Sequence, residues 1–283
     1  MAEWNPWHGC HKYSAGCANC YVYRRDAKYE LDASAVRKNA AFDLPVRRAR
    51  DGGYKLKGPD DVFTCFTSDF FLDAADPWRP EAWRMMRERA DLNFFFITKR
   101  ILRFREGLPE DWGEGYPNVS IGVTCENQAA ADERLPFFLS LPVRRRLIIV
   151  EPMLEAVDLR PYLTPAVEQV VVGGESGETA RLMRYEWALD IRRQCEASGV
   201  SLYFKQTGAR FEKDGKVYRI PRRLQFSQAR KSGLSCTGNA AAHLPSPGGK
   251  NRARRAGTRA PDRPPPERRR KRKRHAVERQ RAC

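Results

Sequence analysis

The sequence predicts an α/β fold in which a parallel sheet wraps into a full or incomplete (β/α) barrel. Short apolar runs rich in β-branched and aromatic residues recur along the chain, and each is followed by a polar or helical stretch. Continuous apolarity in runs too short for helices indicates strands covered on both faces, as in parallel sheets. Alternation of such strands with helices predicts right-handed βα units. An open, doubly wound sheet is the alternative that this alternation leaves open.

Six strands are predicted after one short strand near the N-terminus: Val62–Phe71, Leu92–Thr98, Val119–Thr124, Leu147–Val150, Val170–Val172 and Val200–Phe204. The predicted helices lie between them: Tyr21–Leu31, Pro80–Ala90, Gln128–Leu141 and Tyr185–Ser198. Asn127 precedes the third helix, and its side chain is of a type that caps helices. Gly199 follows the fourth helix, where glycine favours a helix end.

The net charge of +17 is concentrated in the C-terminal segment. Residues 230–283 contain 17 Lys/Arg and 3 Asp/Glu, whereas residues 1–229 contain 35 and 32. We therefore expect a nearly neutral α/β domain over residues 1–229 and a basic, Pro/Arg-rich tail over residues 230–283. The tail lacks apolar periodicity, which predicts disorder. A frame-shifted sequence would have the same character, and an arm that binds nucleic acid is the functional alternative.

The eight cysteines are not spaced like a disulfide framework, because three lie close together and the rest are scattered. The N-terminus lacks the basic and apolar regions of a signal peptide. No stretch approaches the roughly 18 apolar residues of a membrane-spanning helix. We expect a cytoplasmic protein with reduced thiols and no membrane partner.

The strongest chemical feature is the segment WNPWHGCHKYSAGCANCY near the N-terminus. Its cysteines, Cys10, Cys17 and Cys20, are separated by six and then two residues. A CxxC pair converges readily on one metal, and a glycine before each of the first two cysteines gives the loop backbone freedom. Three cysteines suit a cubane iron–sulfur cluster with one open iron, whereas His8 or His11 as a fourth ligand would complete a zinc site. The spacing leaves both metals open.

Polar residues also end each apolar run, where the active site of a β/α barrel lies. They are Thr67, Ser68, Asp69, Thr98, Lys99, Arg100, Thr124, Glu126, Asn127, Glu151, Glu175, Ser176, Lys205 and Gln206. Among them Glu151 and Lys205 are candidate catalytic groups on the substrate side. Gly173 and Gly174 would let a backbone approach a ligand closely. The alternative is that these residues are helix caps and solvated loop starts.

These motifs resemble a known family. WNPWHGCHKYSAGCANCY is similar to the N-terminal signature of a phage- and mobile-element-associated family of radical-SAM-like proteins, the three-Cys-motif proteins, which are otherwise of unknown function. The resemblance continues through FTSDFF, FFFITKR, IGVTCEN, IIVEPML, VVVGGESG and YFKQTG. It covers residues 4–226 and leaves the basic tail outside.

The resemblance implies a radical-SAM-like barrel with a [4Fe–4S] cluster held by three cysteines and S-adenosylmethionine (SAM) bound at the open iron. Reduction would cleave SAM to methionine and a 5′-deoxyadenosyl radical. The cluster ligands would be Cys10, Cys17 and Cys20, and the SAM site would include Ser68, Asp69, Lys99, Glu126, Asn127, Gly173, Gly174 and Glu175. The common spacing in radical-SAM proteins is three and then two residues, and the first interval here departs from it.

The function that we expect is therefore that of a radical-SAM enzyme acting on an unknown substrate. Nucleic acid is the candidate substrate class, and a protein encoded nearby is a candidate partner. The alternative is a non-enzymatic zinc- or cluster-binding barrel that binds nucleic acid or a protein. A zinc hydrolase is disfavoured, because the chain has no HExxH motif and only 4 histidines.

Overall fold

A computed structural model describes residues 1–239 and contains a parallel sheet of seven strands. The strands are β1 (Ala2–Trp4), β2 (Asp60–Thr64), β3 (Leu92–Thr98), β4 (Val119–Thr124), β5 (Arg145–Val150), β6 (Val167–Gly173) and β7 (Ser201–Gln206). Neighbours in the sheet follow one another along the chain, and the sheet curls into a half barrel. The predicted α/β fold is confirmed. The doubly wound alternative is wrong, because the order of these strands never reverses.

Five α-helices accompany the sheet: α1 (Tyr21–Ala27), α2 (Arg79–Glu88), α3 (Gln128–Ser140), α4 (Tyr185–Ser198) and α5 (Arg222–Lys231). Alternate residues of β3 show how the sheet is covered. Phe94 and Phe96 belong to the main hydrophobic core, where the Phe96 ring lies 6.0 Å from the Trp83 ring of α2. Phe95 points to the opposite face and is 8% exposed. Both faces are thus apolar, as the continuous run of phenylalanines predicts.

Two small sheets flank the half barrel. Trp7–His8 pairs antiparallel with Arg37–Lys38 and fixes the start of the cysteine-bearing loop. A three-stranded sheet consists of Met183–Arg184, which precedes α4, and of Arg210–Lys213 and Lys216–Arg219, which follow β7.

Several element boundaries agree with the sequence. The predicted bounds of β3, β4 and α4 are confirmed. The Asn127 side chain caps α3 by accepting a hydrogen bond from the Ala130 amide, and Gly199 ends α4 in the left-handed conformation, with φ +67°. The strand predicted over Val62–Phe71 is wrong beyond Thr64. The chain turns there because Cys65 has a positive φ of 61° and Asp69 accepts a hydrogen bond from the Phe71 amide.

The packed chain continues past the boundary that we expected at residue 229. Leu234 is buried, and Cys236 pairs with Leu202 in β7. The remainder of the predicted disordered tail lies outside the described residues. No helix among residues 1–239 is long and apolar enough to cross a membrane.

Candidate metal centre at the strand ends

The cysteine loop, residues 9–20, lies against the carboxyl ends of the sheet strands. It is attached first to the segment after β2, where the Gly9 amide donates to the Thr67 carbonyl at 3.2 Å and the Ser68 hydroxyl donates to the Gly9 carbonyl. Gly9 has a φ of +92°, and a Cβ there would lie 2.6 Å from the Ala35 carbonyl oxygen. Glycine is therefore required where the loop begins.

The loop is fastened a second time by Glu126, which follows β4. Its Oε1 accepts hydrogen bonds from the Gly16 amide, at 3.0 Å, and from the Ser14 hydroxyl. Its Oε2 accepts from Arg134 of α3 at 2.9 Å. Glu126 is completely buried. Burial alone would raise the pKa of this carboxyl, but Ser14, Lys99 and Arg134 outweigh it and the pKa lies below its ordinary value.

A third attachment is made by Glu175, which follows β6. Its Oε2 accepts from the Asn19 side chain at 3.0 Å and from the Arg181 amide at 2.8 Å. Arg181 also donates to the Ala15 carbonyl at 2.9 Å. Although burial opposes ionisation, the hydrogen bonds from Arg181 and Asn19 lower the pKa of Glu175. Because Asn19 lies between the last two cysteines, the CxxC turn is held directly by a strand end.

The thiols of Cys10, Cys17 and Cys20 are free and partly buried. The Tyr23 phenol of α1 donates a hydrogen bond to the Cys10 carbonyl. Burial raises the pKa of Tyr23, and so does each of the three cysteines. Within residues 1–239 no group of three or more His, Cys, Asp and Glu side chains lies close enough together to hold a metal ion.

Arg100, which follows β3, is directed at the first cysteine. Its Nη1 lies 3.8 Å from the Cys10 Sγ and 3.4 Å from Asp69, and its Nη2 donates to the His11 carbonyl at 2.7 Å. Burial and Asp69 raise the pKa of Cys10 to about 12, while Arg100 lowers it. Arg100 is therefore the cation that favours a thiolate at Cys10.

Asp69 is also occupied by protein donors. Its Oδ1 accepts from the Thr98 hydroxyl at 2.7 Å and from the Phe71 amide at 3.0 Å, and its Oδ2 accepts from the Lys99 amide at 2.9 Å. These bonds join the ends of β2 and β3. The Lys99 ammonium, in contrast, forms no ion pair within 4.0 Å in the described chain, although its charge acts on Glu126.

Glu151 and Lys205, the predicted catalytic pair, are in contact. The Lys205 Nζ donates to Glu151 Oε2 at 2.8 Å, and the Gln206 side chain donates to Oε1. A Cβ at Gly173 would lie 2.8 Å from Glu151 Oε1, and one at Gly174 would approach the Thr207 carbonyl. The two glycines thus make room for this protein's own atoms.

A cleft of about 270 Å³ opens beside Cys10. It is lined by His11, Tyr13, Asp73, Arg100, Leu102 and Arg103. The Tyr13 ring lies 5.0 Å from the Arg100 guanidinium and 5.4 Å from that of Arg134, so it covers two cations of the site.

Sequence reasoning missed the residues that fasten the loop. Ser14, Asn19, Arg134 and Arg181 each contact a strand-end carboxylate, and Arg24 of α1 donates to the Ser176 carbonyl. Asn19 and Glu175, for example, lie 156 residues apart in the sequence, so no local pattern connects them. Arg134 carried a weak signal, because an arginine on the buried side of a helix needs an acid.

A family model described as a protein of unknown function, DUF5131, matches residues 1–276. The chain belongs to the DUF5131 family. The match extends into the basic C-terminal segment, which the resemblance in the motifs had left outside. No curated protein and no solved structure matches the chain. The function of this DUF5131 protein must therefore be argued from its own residues.

Proposed function

We propose that this DUF5131 protein is a radical-SAM-like iron–sulfur protein whose [4Fe–4S] cluster is held by Cys10, Cys17 and Cys20. The observation that carries the proposal is the position of the three thiols. They are free and partly buried, on a loop that three strand ends of a half barrel hold in place. Thiolates are the usual ligands of iron–sulfur clusters.

The donor set suits a three-cysteine cluster better than a zinc site completed by His8. The His8 Nε2 lies 2.6 Å from the Asp26 carboxylate, and its Nδ1 lies 3.5 Å from Arg25. Both ring nitrogens therefore have partners. His11 is half-exposed, with its Nδ1 3.9 Å from Asp73, and is the histidine still available to the zinc alternative.

The residues around the thiols have distinct tasks. Arg100 offsets the charge of the Cys10 thiolate, and Glu126 and Glu175 hold the loop through Gly16 and Asn19. When bound, the cluster supplies the electron for reductive cleavage of SAM.

Contacts to SAM must come from side chains whose polar atoms are not already bonded to other groups of the protein. Lys99 has an ammonium without an ion pair in the described chain, and we assign to it the SAM carboxylate. Asp69 and Glu126 have protein donors on both oxygens, so we withdraw them from the residues assigned to the SAM site. Asn127 caps α3 through its side-chain oxygen, and its amide nitrogen is a candidate donor to SAM.

Glu151 and Lys205 form the substrate side of the proposed site. The carboxylate is the group that can accept a proton from a substrate and the ammonium is the group that can donate one, and their 2.8 Å contact holds the two side by side. Nucleic acid remains our proposed substrate class, with a phage or mobile-element context, a cytoplasmic location and a nearby-encoded partner as parts of the same proposal.

Anaerobic reconstitution followed by reduction in the presence of SAM tests the proposal. We expect 5′-deoxyadenosine by mass spectrometry from the wild-type protein and none from the Cys17→Ala variant. Cys236→Ala, which removes a cysteine far from the loop in sequence, is the control and should retain the product. Iron uptake without SAM binding would contradict the proposal that the protein is a radical-SAM enzyme. It would support a non-enzymatic metal-binding function instead.

A non-enzymatic metal-binding barrel is favoured by one observation. The carboxylates of Asp69, Glu126 and Glu175 all accept hydrogen bonds from groups of the protein itself, as expected where a loop has a structural role. In that case metal removal should lower the melting temperature, whereas SAM should neither bind nor raise it.

A further inference from the structure

The folded part of the chain carries its positive charge in one place. Residues 209–223, which we call the basic hairpin segment, contain six basic and two acidic side chains. The other residues of the 1–229 region are balanced, with 29 basic and 30 acidic side chains. The segment includes the hairpin Arg210–Lys213 with Lys216–Arg219 and the first two residues of α5. A local excess of this kind is an electrostatic footprint for a polyanion.

The pairing inside the hairpin is unfavourable without such a partner. Arg210 lies directly opposite Arg219, and Lys213 lies directly opposite Lys216. Like charges in directly opposed positions destabilise an antiparallel pair. None of these four cations forms an ion pair within residues 1–239, and the nearby acid Glu212 is bound to Arg184 at 3.1 Å.

The same strand presents an aromatic ring to solvent. Residues Lys216–Arg219 are all exposed, and they form the outer strand of the three-stranded sheet. Tyr218 is 42% exposed, and the Lys216 ammonium lies 5.3 Å from its ring. A base can stack on such a ring while the neighbouring cations contact phosphates.

We infer that the basic hairpin segment is a docking surface for single-stranded nucleic acid. Phosphates would neutralise the opposed cation pairs, and Tyr218 would take one base. The chain's own C-terminal residues cannot supply the negative charge that would neutralise these cations, because residues 230–283 are themselves strongly basic.

The surface adjoins the candidate metal centre. The Ala209 amide donates to the Glu175 carbonyl at 2.7 Å, and the Glu175 side chain holds Asn19 of the cysteine loop. A nucleic-acid strand bound along the hairpin would therefore reach the edge of the candidate metal centre. Only the further conclusion that this strand is the substrate rests on the proposed function, and the binding surface itself does not.

Photochemical cross-linking of the full-length chain tests the docking surface directly. The probe is single-stranded DNA of about 20 nucleotides with 5-iodouracil in place of thymine, which spans the site of one binding module. Iodouracil couples mainly to stacked aromatic rings, and residues 240–283 contain no Phe, Trp or Tyr. We expect mass spectrometry to place the cross-link on Tyr218. Cross-links that all lie elsewhere would overturn the inference.

Binding measurements provide a second readout. Lys216→Ala/Arg219→Ala should make the slope of log affinity against log salt shallower by about 1.4, since each lost phosphate contact on a single strand contributes about 0.7. Tyr218→Ala should weaken binding at least about fivefold, as expected for one lost stacking contact. The control Arg50→Ala/Lys55→Ala removes two exposed cations outside the segment and should leave the slope unchanged.

Equal slopes for the two double variants would show that the hairpin does not contact phosphates. The iron content of each reconstituted variant is measured in parallel. A variant that loses DNA binding but keeps its full iron content has a defect in this surface and not in the metal centre. A protein that takes up no iron but still cross-links through Tyr218 would overturn the proposed function alone.

Discussion

Replacement of Glu126 by Gln tests whether the cysteine loop is held by the end of β4. The substitution keeps the shape of the side chain but removes the charge that faces Arg134, whose side chain is only 2% exposed. It also exchanges one acceptor for an amide, so the bonds to Ser14, Gly16 and Arg134 cannot all be kept. Loss of one partner from a buried ion pair costs about 3–5 kcal/mol.

We therefore expect Glu126→Gln to lower the free energy of unfolding by about 3 kcal/mol, or the melting temperature by about 6–12 °C, because 1 kcal/mol corresponds to about 2–4 °C in a domain of this size. Denaturant titration and calorimetry measure both quantities. Glu133→Gln is the matched control. It lies on α3 and is half-exposed, with its carboxylate 3.5 Å from the same Arg134, so it should cost at most about 1 kcal/mol. Equal effects of the two variants would refute the reasoning.

The pH dependence of the same pair gives the sign of the effect. The pKa of Glu126 in the folded protein lies below the ordinary value of 4.5. A carboxyl with a lowered pKa stabilises the fold above its unfolded pKa and loses that contribution as the pH falls through the folded pKa. The stability difference between wild type and Glu126→Gln should therefore be full above about pH 5 and shrink at lower pH. A difference that grows on acidification would contradict this assignment.

Two glycine substitutions test close approaches in the fold by calorimetry. Gly177→Ala places a methyl group on the Arg24 guanidinium at a φ of +105°. It should lower the free energy of unfolding by about 1–3 kcal/mol more than the control Gly52→Ala, because Gly52 has a φ of +80° but open space around it. Equal losses of stability would show that Arg24 simply moves aside. Gly122→Ala in β4 would put a Cβ 2.8 Å from the Ile149 Cγ1 and 3.0 Å from the Ile97 Cγ2, and should destabilise by about 1–3 kcal/mol. In an Ile149→Ala background the added cost should fall, because one of the two contacts is removed, and an additive double variant would exclude the clash with Ile149.

The strands and helices were the most predictable part of the fold. The runs that became β3 and β4 are continuously apolar and end at polar residues, and α4 has a glycine at its end, so local chemistry defines them. The half-barrel curl was only one of the options, because it depends on how seven strands pack together. The turn at Cys65 was missed, because a cysteine with positive φ has no signal in an apolar run.

The candidate site was predictable as a set of residues but not as a set of contacts. Cys10, Cys17 and Cys20 stand out by their spacing, and their thiols are free and partly buried. Glu126 was selected because it follows a strand, but its role differs. It holds Ser14 and Gly16, residues more than 100 positions away, and only the folded chain brings them together.

The central claim, that the three cysteines hold an iron–sulfur cluster, is tested most directly by quantifying iron, sulfide and zinc after anaerobic reconstitution. The account predicts about four irons and four sulfides per wild-type chain, with an EPR signal on reduction. It predicts loss of both elements in Cys17→Ala and their retention in Cys236→Ala. One zinc per chain with no uptake of iron, or equal iron in both variants, would contradict it.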